Sequence, residues 1–264
     1  EGGLMTIDRG DGETTRIAVC GKGGVGKTSI TALMIRHLSK RGNLKILAVD
    51  ADPAVGLAMA LDVKVKKTVN DIRNDVIAKA QGGEKLSTPA MMNLLDYELL
   101  DALSEGPNFA FLAIGRPETE GCFCRVNDLL KGVIETLSGN FDVVIIDGEA
   151  GVEQVNRRVM KQIDHLILVT DTSAKGLHVT ETIRSLALEQ GAVGARRVGL
   201  IVNRARSGEE VAALMERTTL ELLGWIPEDD HIREQDLRGR SFLDLPDASP
   251  GSAGVAHVVA ALGI

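Results

Sequence analysis

The feature that most constrains the fold is a glycine-rich segment between an apolar run and a segment of helical period. It reads Gly21-Lys22-Gly23-Gly24-Val25-Gly26-Lys27-Thr28 and follows the apolar run Arg16 to Cys20. The spacing G-x-x-x-x-G-K-[ST], between a strand and a helix, is typical of a phosphate-binding loop (P-loop), whose backbone amides surround phosphate groups. Lys27 would supply positive charge to the β and γ phosphates, and Thr28 would offer its hydroxyl to magnesium. The segment therefore predicts a strand, loop and helix that bind a nucleotide.

Short apolar runs alternate with segments of helical period along the rest of the chain. The runs are apolar throughout, as expected when helices cover both faces of a parallel sheet. We predict an α/β fold, a doubly wound and mostly parallel sheet of seven or eight strands, with residues 16–264 forming one P-loop NTPase domain. The predicted strands are Arg16 to Cys20, Lys45 to Asp50, Phe109 to Ile114, Asp142 to Asp147, His165 to Thr170, Val198 to Asn203 and Leu222 to Ile226. The predicted helices are Lys27 to Arg41, Met91 to Leu103, Val126 to Ser138, Val152 to Gln162, Lys175 to Gln190, Glu209 to Thr218 and Ala253 to Leu262.

Charge and hydropathy argue against several classes of function. The formal net charge of −7 argues against a general attraction to nucleic acid or to an anionic membrane. No apolar run reaches the roughly 18 to 20 residues that a membrane-spanning helix needs. We therefore expect a soluble cytoplasmic protein with no nucleic-acid partner and no membrane insertion. Residues 1–15 are interpreted as a flexible arm or a remnant of cloning, since Glu1 to Leu4 precede Met5.

Aspartates follow two of the predicted strands. One strand ends in Asp50-Ala51-Asp52-Pro53, and another ends in Asp147-Gly148-Glu149-Ala150-Gly151. Loops after parallel strands meet at the carboxyl edge of the sheet, where such folds bind their ligands. A single aspartate in such a loop can instead cap the following helix. Three of them, together with the P-loop, favour a site for a nucleotide with its metal ion.

The extra lysine near the start of the P-loop, Lys22, carries a family resemblance. G-K-G-G-V-G-K-T resembles the deviant Walker A motif of the family that includes nitrogenase iron protein, MinD and bacterial partition ATPases. The resemblance implies a homodimeric, magnesium-dependent ATPase in which Lys22 reaches across a two-fold interface to the partner's nucleotide. It also implies roles by position: catalysis for Lys22, Lys27 and Asp52, magnesium binding for Thr28, Asp50 and Asp147, and γ-phosphate sensing in switch II for Gly151.

Two further segments predict where the base binds. Asn203-Arg204 follows one strand and resembles the family's adenine-reading amide, and Pro227-Glu228-Asp229 follows the last strand and resembles its backbone clamp. The aspartate that guanine-specific relatives carry shortly after this asparagine is missing, which favours ATP over GTP. Asparagine at a strand end is also a common turn residue. The predicted nucleotide-binding set adds these residues to Gly21, Lys22, Gly23, Gly24, Val25, Gly26, Lys27, Thr28 and Ser29.

Two of the three cysteines form a C-x-C pair, Cys122 and Cys124. Two thiolates supply half of a tetrahedral sulfur site, and a two-fold axis beside the loop would complete four sulfurs from two chains. Zinc suits such a tetrahedral sulfur site. The alternative is a pair of small loop residues in a reducing cytoplasm. Cys20 ends an apolar strand and is interpreted as core packing, and His165 and His178 are interpreted as structural.

The surroundings of the C-x-C pair resemble the carbon monoxide dehydrogenase accessory ATPases. The resemblance covers Gly115-Arg116-Pro117-Glu118, Gly121-Cys122-Phe123-Cys124, Val126 to Leu130 and Glu149 to Gln154. It implies an ATPase that handles or inserts nickel during maturation of a nickel-iron-sulfur client enzyme, with Ni²⁺ or Zn²⁺ shared between two subunits.

Two other functions stay open at this point. One is an iron-sulfur redox or cluster-carrier ATPase resembling nitrogenase iron protein, although no second cysteine follows switch II. The other is a MinD-type or partition-type positioning ATPase. The membrane branch of that group usually ends in a basic amphipathic helix, and Val255 to Leu262 contains no lysine or arginine.

Overall fold

The computed structural model describes residues 13–82, 87–116, 124–148, 159–160, 162–188 and 194–264. Its strands form one eight-stranded sheet in the order β3-β4-β2-β5-β1-β6-β7-β8. All neighbouring pairs are parallel except β3 with β4, which is antiparallel. The strands are β1 (Thr15–Gly21), β2 (Ile46–Asp50), β3 (Ser104–Gly106), β4 (Phe109–Ala113), β5 (Val143–Asp147), β6 (Gln162–Thr170), β7 (Gly194–Ala205) and β8 (Glu221–Pro227).

Several helices begin at residues whose side chains satisfy the free backbone amides of the first turn. Ser87 accepts a hydrogen bond from the amide of Ala90, and Ser207 accepts one from the amide of Glu210. Ser249 does the same for Ser252, directly before a proline. The helices are α1 (Lys27–Ser39), α2 (Gly56–Ala60), α3 (Val69–Gln81), α4 (Thr88–Ala102), α5 (Cys124–Ser138), α6 (Ala174–Leu188), α7 (Gly208–Met215), α8 (Asp230–Arg238) and α9 (Pro250–Ala261), with a 3-10 turn at Phe242–Asp244.

The sheet separates two hydrophobic cores, and alternate residues of β1 belong to different ones. Ile17 and Val19 pack on one face with residues of α1, α2 and α9. Ala18 and Cys20 pack on the other face with residues of α3 to α7. Helices on both faces confirm the predicted doubly wound architecture. Cys20 is fully buried, as expected for a core residue, and burial raises the pKa of its thiol to about 12.

The strand order reverses at β1, which lies between β5 and β6. The chain passes from β1 to β2, β4 and β5 on one side and continues through β6, β7 and β8 on the other. In open α/β sheets the crevice at the carboxyl ends of the strands beside such a reversal is the usual ligand site. The P-loop follows β1 and therefore lies at this crevice.

All seven predicted strands are present, with bounds shifted by a few residues, and one was missed. Strand β3 has only three residues, Ser104–Gly106, which is too short to show a strand pattern, and it pairs with β4 at the edge of the sheet. Helices α2, α3 and α8 were also missed. Helix α8 has no buried residue and therefore no apolar period, whereas α2 is only five residues long.

The helix predicted over Val152 to Gln162 is wrong at its end. Val159 and Met160 are not helical, and Gln162 is the first residue of β6. The remaining positions of that helix lie outside the described residues. Within the described ranges, no helix combines the length and the apolar content needed to span a membrane.

Candidate nucleotide and magnesium site

The P-loop connects β1 to α1 and contains two glycines in a backbone conformation that other residues rarely adopt. Gly24 and Gly26 have φ values of 80° and 92°, in the left-handed region that favours glycine. A Cβ on Gly26 would lie 2.5 Å from Asn203 Nδ2. The ammonium of Lys27 donates to the backbone carbonyl of Lys22 at 3.3 Å. The loop thus brings backbone amides, a helix N-terminus and a lysine to one place, which is the chemistry of an anion site.

Two buried carboxylates lie beside this loop. Asp50 and Asp147 end neighbouring strands and are directly opposite in the register of β2 and β5. Asp147 accepts hydrogen bonds from Thr28 Oγ1 at 2.7 Å and from Thr31 Oγ1 at 3.3 Å. Asp50 accepts from the backbone amides of Asp52 and Leu57 at 3.1 and 2.9 Å. The predicted magnesium residues Thr28, Asp50 and Asp147 are therefore together.

Ionisation of both neighbouring carboxylates is unfavourable in the nucleotide-free protein. Burial, and then the charge of Asp147, raise the pKa of Asp50 to about 7. Burial raises the pKa of Asp147 to about 6, although the hydrogen bond from Thr28 and the charge of Lys27 oppose the shift. Magnesium prefers carboxylate and hydroxyl oxygens and is commonly held by one or two carboxylates together with phosphates. The donor set therefore fits a magnesium ion bound to a nucleotide.

Asp52 lies just beyond β2 and is partly exposed. Its Oδ1 accepts a hydrogen bond from the amide of Ala54 at 2.8 Å, which fixes the side chain in the loop after the strand. The carboxylate of Asp52 is near enough to add to the charge that raises the pKa values of Asp50 and Asp147. The structure thus brings Asp52 to the same edge of the sheet as the P-loop.

A cavity of about 410 Å³ adjoins the P-loop at Gly26. It is lined by predicted residues, Ser29, Asn203, Arg204, Pro227, Glu228 and Asp229, and by residues of α8 that the sequence did not single out, Ile232, Arg233 and Asp236. Asn203 Nδ2 donates to the carbonyl of Val25 at 2.7 Å. Arg204, whose φ is 58°, donates to the carbonyl of Gly24 at 3.1 Å. Both residues therefore hold the P-loop as well as line the cavity.

Asp229 has a structural task that the sequence did not reveal. Its side chain is almost fully buried and accepts from the amide of His231 at 2.8 Å, capping α8. It also accepts from Ser249 Oγ and from the amide of Gly251, at the start of α9. Burial alone would raise the pKa of Asp229, but these hydrogen bonds together hold it below its usual range. The loop after β8 is fixed between two helices.

Lys22 has a partner that sequence reasoning missed. Its Nζ lies 3.7 Å from Asp171 Oδ2, in the loop between β6 and α6. Asp171 directly follows the predicted strand His165 to Thr170, so the rule that identified Asp50 and Asp147 would have identified it too. The other predicted site residues cannot be placed: Gly151 and Cys122 lie outside the described residues, and Cys124 is described only as the first position of α5.

The fold and the site together define a P-loop nucleotide-binding protein. The chain belongs to the CobQ/CobB/MinD/ParA nucleotide binding domain family, whose profile matches residues 17–242. That range contains the P-loop, both buried carboxylates and all of the residues that line the cavity.

Three proteins illustrate the relationship. An uncharacterized ATP-binding protein of Methanocaldococcus jannaschii is 39% identical over 236 residues, covering 88% of this chain and 91% of its own length. The carbon monoxide dehydrogenase accessory protein CooC of Rhodospirillum rubrum is 28% identical over 260 residues, covering 93% of this chain and 95% of its own. The structure of the septum site-determining protein MinD of Pyrococcus horikoshii OT3, complexed with Mg-ADP, has a TM-score of 0.66 at 27% identity and covers 96% of this chain and 99% of its own.

Proposed function

We propose that this protein is a homodimeric, magnesium-dependent ATPase whose nucleotide cycle controls nickel handling during maturation of a carbon monoxide dehydrogenase-type enzyme. The observation that carries the ATPase part is the cluster of Thr28, Asp50 and Asp147 beside the P-loop. Burial raises the pKa of both carboxylates, and a cation bound with nucleotide would stabilise their ionised forms.

Each residue of the site has a distinct proposed task. Backbone amides of the P-loop and the ammonium of Lys27 bind the β and γ phosphates, while Thr28, Asp50 and Asp147 hold the magnesium ion and its water shell. Magnesium, when bound with ATP, neutralises charge on those phosphates. Asp52 accepts a hydrogen bond from the attacking water and orients it in line with the γ-phosphate. Lys22 of each protomer stabilises charge at the partner's γ-phosphate, and Gly151 senses that phosphate through its amide.

The geometry of Asn203 supports ATP as the nucleotide. Its Nδ2 donates to the carbonyl of Val25, which leaves Oδ1 as the acceptor that this cavity-lining side chain offers. Adenine carries an exocyclic amine that donates to such an acceptor, whereas guanine carries a carbonyl at the corresponding position. The proposed base site is the cavity between Asn203 and the loop after β8.

Nickel is the substrate of the proposed cycle, and two observations support it. The C-x-C pair offers two thiolates per chain, which two protomers would complete to four. CooC of Rhodospirillum rubrum, named as an accessory protein of carbon monoxide dehydrogenase, is similar over nearly the whole length of both chains. The proposed client is a nickel-iron-sulfur enzyme of that type.

Metal stoichiometry and assembly test the nickel proposal. Protein loaded with Ni²⁺, and separately with Zn²⁺, is followed by light scattering and metal analysis, with and without a non-hydrolysable ATP analogue. A shared site predicts one ion per dimer and metal-induced dimerisation. Cys122→Ser combined with Cys124→Ser is expected to abolish metal-induced dimerisation and to keep the ATP-induced form. One ion per monomer, or metal-induced dimers without the cysteines, would contradict the shared site.

A positioning ATPase is the second candidate, favoured by the likeness to the MinD structure. Such a protein would bind a membrane or DNA in its ATP-bound dimeric form. Cosedimentation with anionic vesicles and with DNA, in the presence of the ATP analogue, separates the candidates. ATP-dependent binding to the vesicles or to DNA, without nickel-dependent dimerisation, would favour a positioning ATPase over a metal-handling one.

A further inference from the structure

Lys22 is held by its own chain rather than left in solvent. Its ammonium lies 3.7 Å from Asp171 Oδ2, and both side chains are about one-third exposed, at 30% and 33%. The backbone of the same residue is also fixed, because its carbonyl accepts from Lys27. The lysine proposed to act on a partner thus has an intramolecular counter-ion.

Asp171 is itself held rigidly. Its Oδ1 accepts from the amide of Ser173 at 3.1 Å and from Ser173 Oγ, and that hydroxyl accepts from the amide of Gly176 at 3.0 Å. A Cβ on Gly176 would lie 2.3 Å from Asp171 Oδ1, so the carboxylate occupies the space that a larger residue would need. With Oδ1 engaged by Ser173, Oδ2 is left to face Lys22.

The carboxylate is an anion at neutral pH. Partial burial opposes ionisation, but the hydrogen bonds from Ser173 and the charge of Lys22 hold the pKa of Asp171 below its usual range. The attraction between Asp171 and Lys22 therefore persists across the physiological pH range. A freely solvated loop lysine would have no fixed partner of this kind.

We propose that Asp171 retains Lys22 on its own chain and thereby opposes formation of the nucleotide-bound dimer. The inference rests on the proposed action of Lys22 in trans. A lysine that reaches a phosphate across a two-fold interface cannot keep this contact with Asp171, so each protomer exchanges an internal ion pair for an intermolecular one. The internal Lys22–Asp171 ion pair therefore makes dimer formation depend on the charge of the phosphate that the partner's nucleotide presents to Lys22.

The expected effect is moderate. An exposed ion pair shifts an equilibrium by about 1.4- to 5-fold, and the two pairs of a dimer act at separate places and multiply. Removing Asp171 alone should therefore lower the dissociation constant of the nucleotide-bound dimer by about two- to thirty-fold.

Asp171→Asn tests this in the full chain, because asparagine keeps an oxygen for Ser173 and loses the charge. Dimerisation is measured by analytical ultracentrifugation with Mg²⁺ and adenylyl imidodiphosphate. Asp171→Ser is the second variant, since serine also suits a loop before a helix. The matched control is Glu221→Gln, which removes a carboxylate that pairs with Arg197 at the opposite edge of the sheet. We expect both Asp171 variants to dimerise more tightly than the wild type. The control should dimerise as the wild type does.

A double-mutant comparison identifies the partner of Asp171. Adding Asp171→Asn to Lys22→Ala should leave dimerisation as it is in Lys22→Ala alone, because the ion pair is already gone. The inference is overturned if both Asp171 variants dimerise as tightly as the wild type or less tightly. It is also overturned if Asp171→Asn lowers the dissociation constant of the dimer as much in the Lys22→Ala background as in the wild type. Wild-type turnover in Lys22→Ala would overturn the trans role and the inference with it. Loss of turnover in Lys22→Ala without any shift in the Asp171 variants would overturn the inference alone.

Discussion

Thr28 Oγ1 donates a 2.7 Å hydrogen bond to Asp147 Oδ2, which joins the first turn of α1 to the end of β5 across 119 residues of sequence. Asp147 lies opposite Asp50 in the sheet. The phosphate loop and the carboxylates are therefore one connected unit. A change in either part should alter both phosphate binding and metal binding.

Lys27→Ala should weaken binding of Mg-ATP by about 10- to 150-fold, since it removes a charged hydrogen-bond donor from the phosphates. Isothermal titration calorimetry with the non-hydrolysable analogue measures the change. Thr28→Ala should lose productive binding by removing the proposed magnesium ligand and the contact with Asp147. Lys45→Ala, at an exposed lysine before β2, is the control. Unchanged affinity and turnover in both variants would refute the nucleotide assignment.

Asp52→Ala should bind ATP normally and lower turnover by roughly two to four decades, because we propose that the carboxylate orients the attacking water. Phosphate release measured at saturating Mg-ATP reports the effect. Asp96→Ala, which removes an exposed carboxylate from α4, is the matched control. Hydrolysis at the wild-type rate in Asp52→Ala would exclude Asp52 from the mechanism.

Asp147→Asn should stabilise the nucleotide-free protein while abolishing its stabilisation by Mg-ATP. The pKa of Asp147 is raised from 3.8 to about 6, so its favourable contribution to folding is present below pH 4 and is lost as the pH rises through 6. Asparagine stays neutral and can exchange hydrogen bonds with Thr28 and Thr31. The melting temperature of the variant should therefore be higher than that of the wild type, and the difference should grow as the pH rises from 4 to 6.

Thermal denaturation across that pH range measures the difference, at about 2 to 4 °C per kcal/mol for a chain of this size. A constant difference from pH 4 to 8 would contradict the raised pKa. Retained stabilisation by Mg-ATP would remove Asp147 from the metal site.

The sequence predicted the parts of the fold and site that depend on local pattern. The apolar strands, the P-loop and the aspartates at strand ends carry their signal within a few residues, and the structure brings Thr28, Asp50 and Asp147 together. Asn203 and Arg204 share the cavity with the loop after β8, as the pattern indicated. The roles of these residues stay predictions.

What the sequence did not predict depends on contacts between distant segments. The pairing of Lys22 with Asp171 joins loops that follow β1 and β6, which are neighbours only in the folded sheet. Helix α8 lines the cavity but has no buried face, so it shows no hydrophobic period. Asp229 caps α8 and also accepts from the amide of Gly251 in the first turn of α9, 22 residues further along the chain. Such contacts become visible only once the topology is known.

We propose that each ATP is hydrolysed at a site completed by Lys22 of the partner subunit. Mixing Lys22→Ala with Asp52→Ala protein in equal amounts tests it, with phosphate release measured on the mixture and on each variant alone. In a heterodimer, one site combines an intact Asp52 with an intact Lys22 from the other chain, so the mixture should recover about one quarter of wild-type turnover if the chains exchange freely. No recovery, with heterodimers demonstrated by native mass spectrometry, would contradict catalysis in trans.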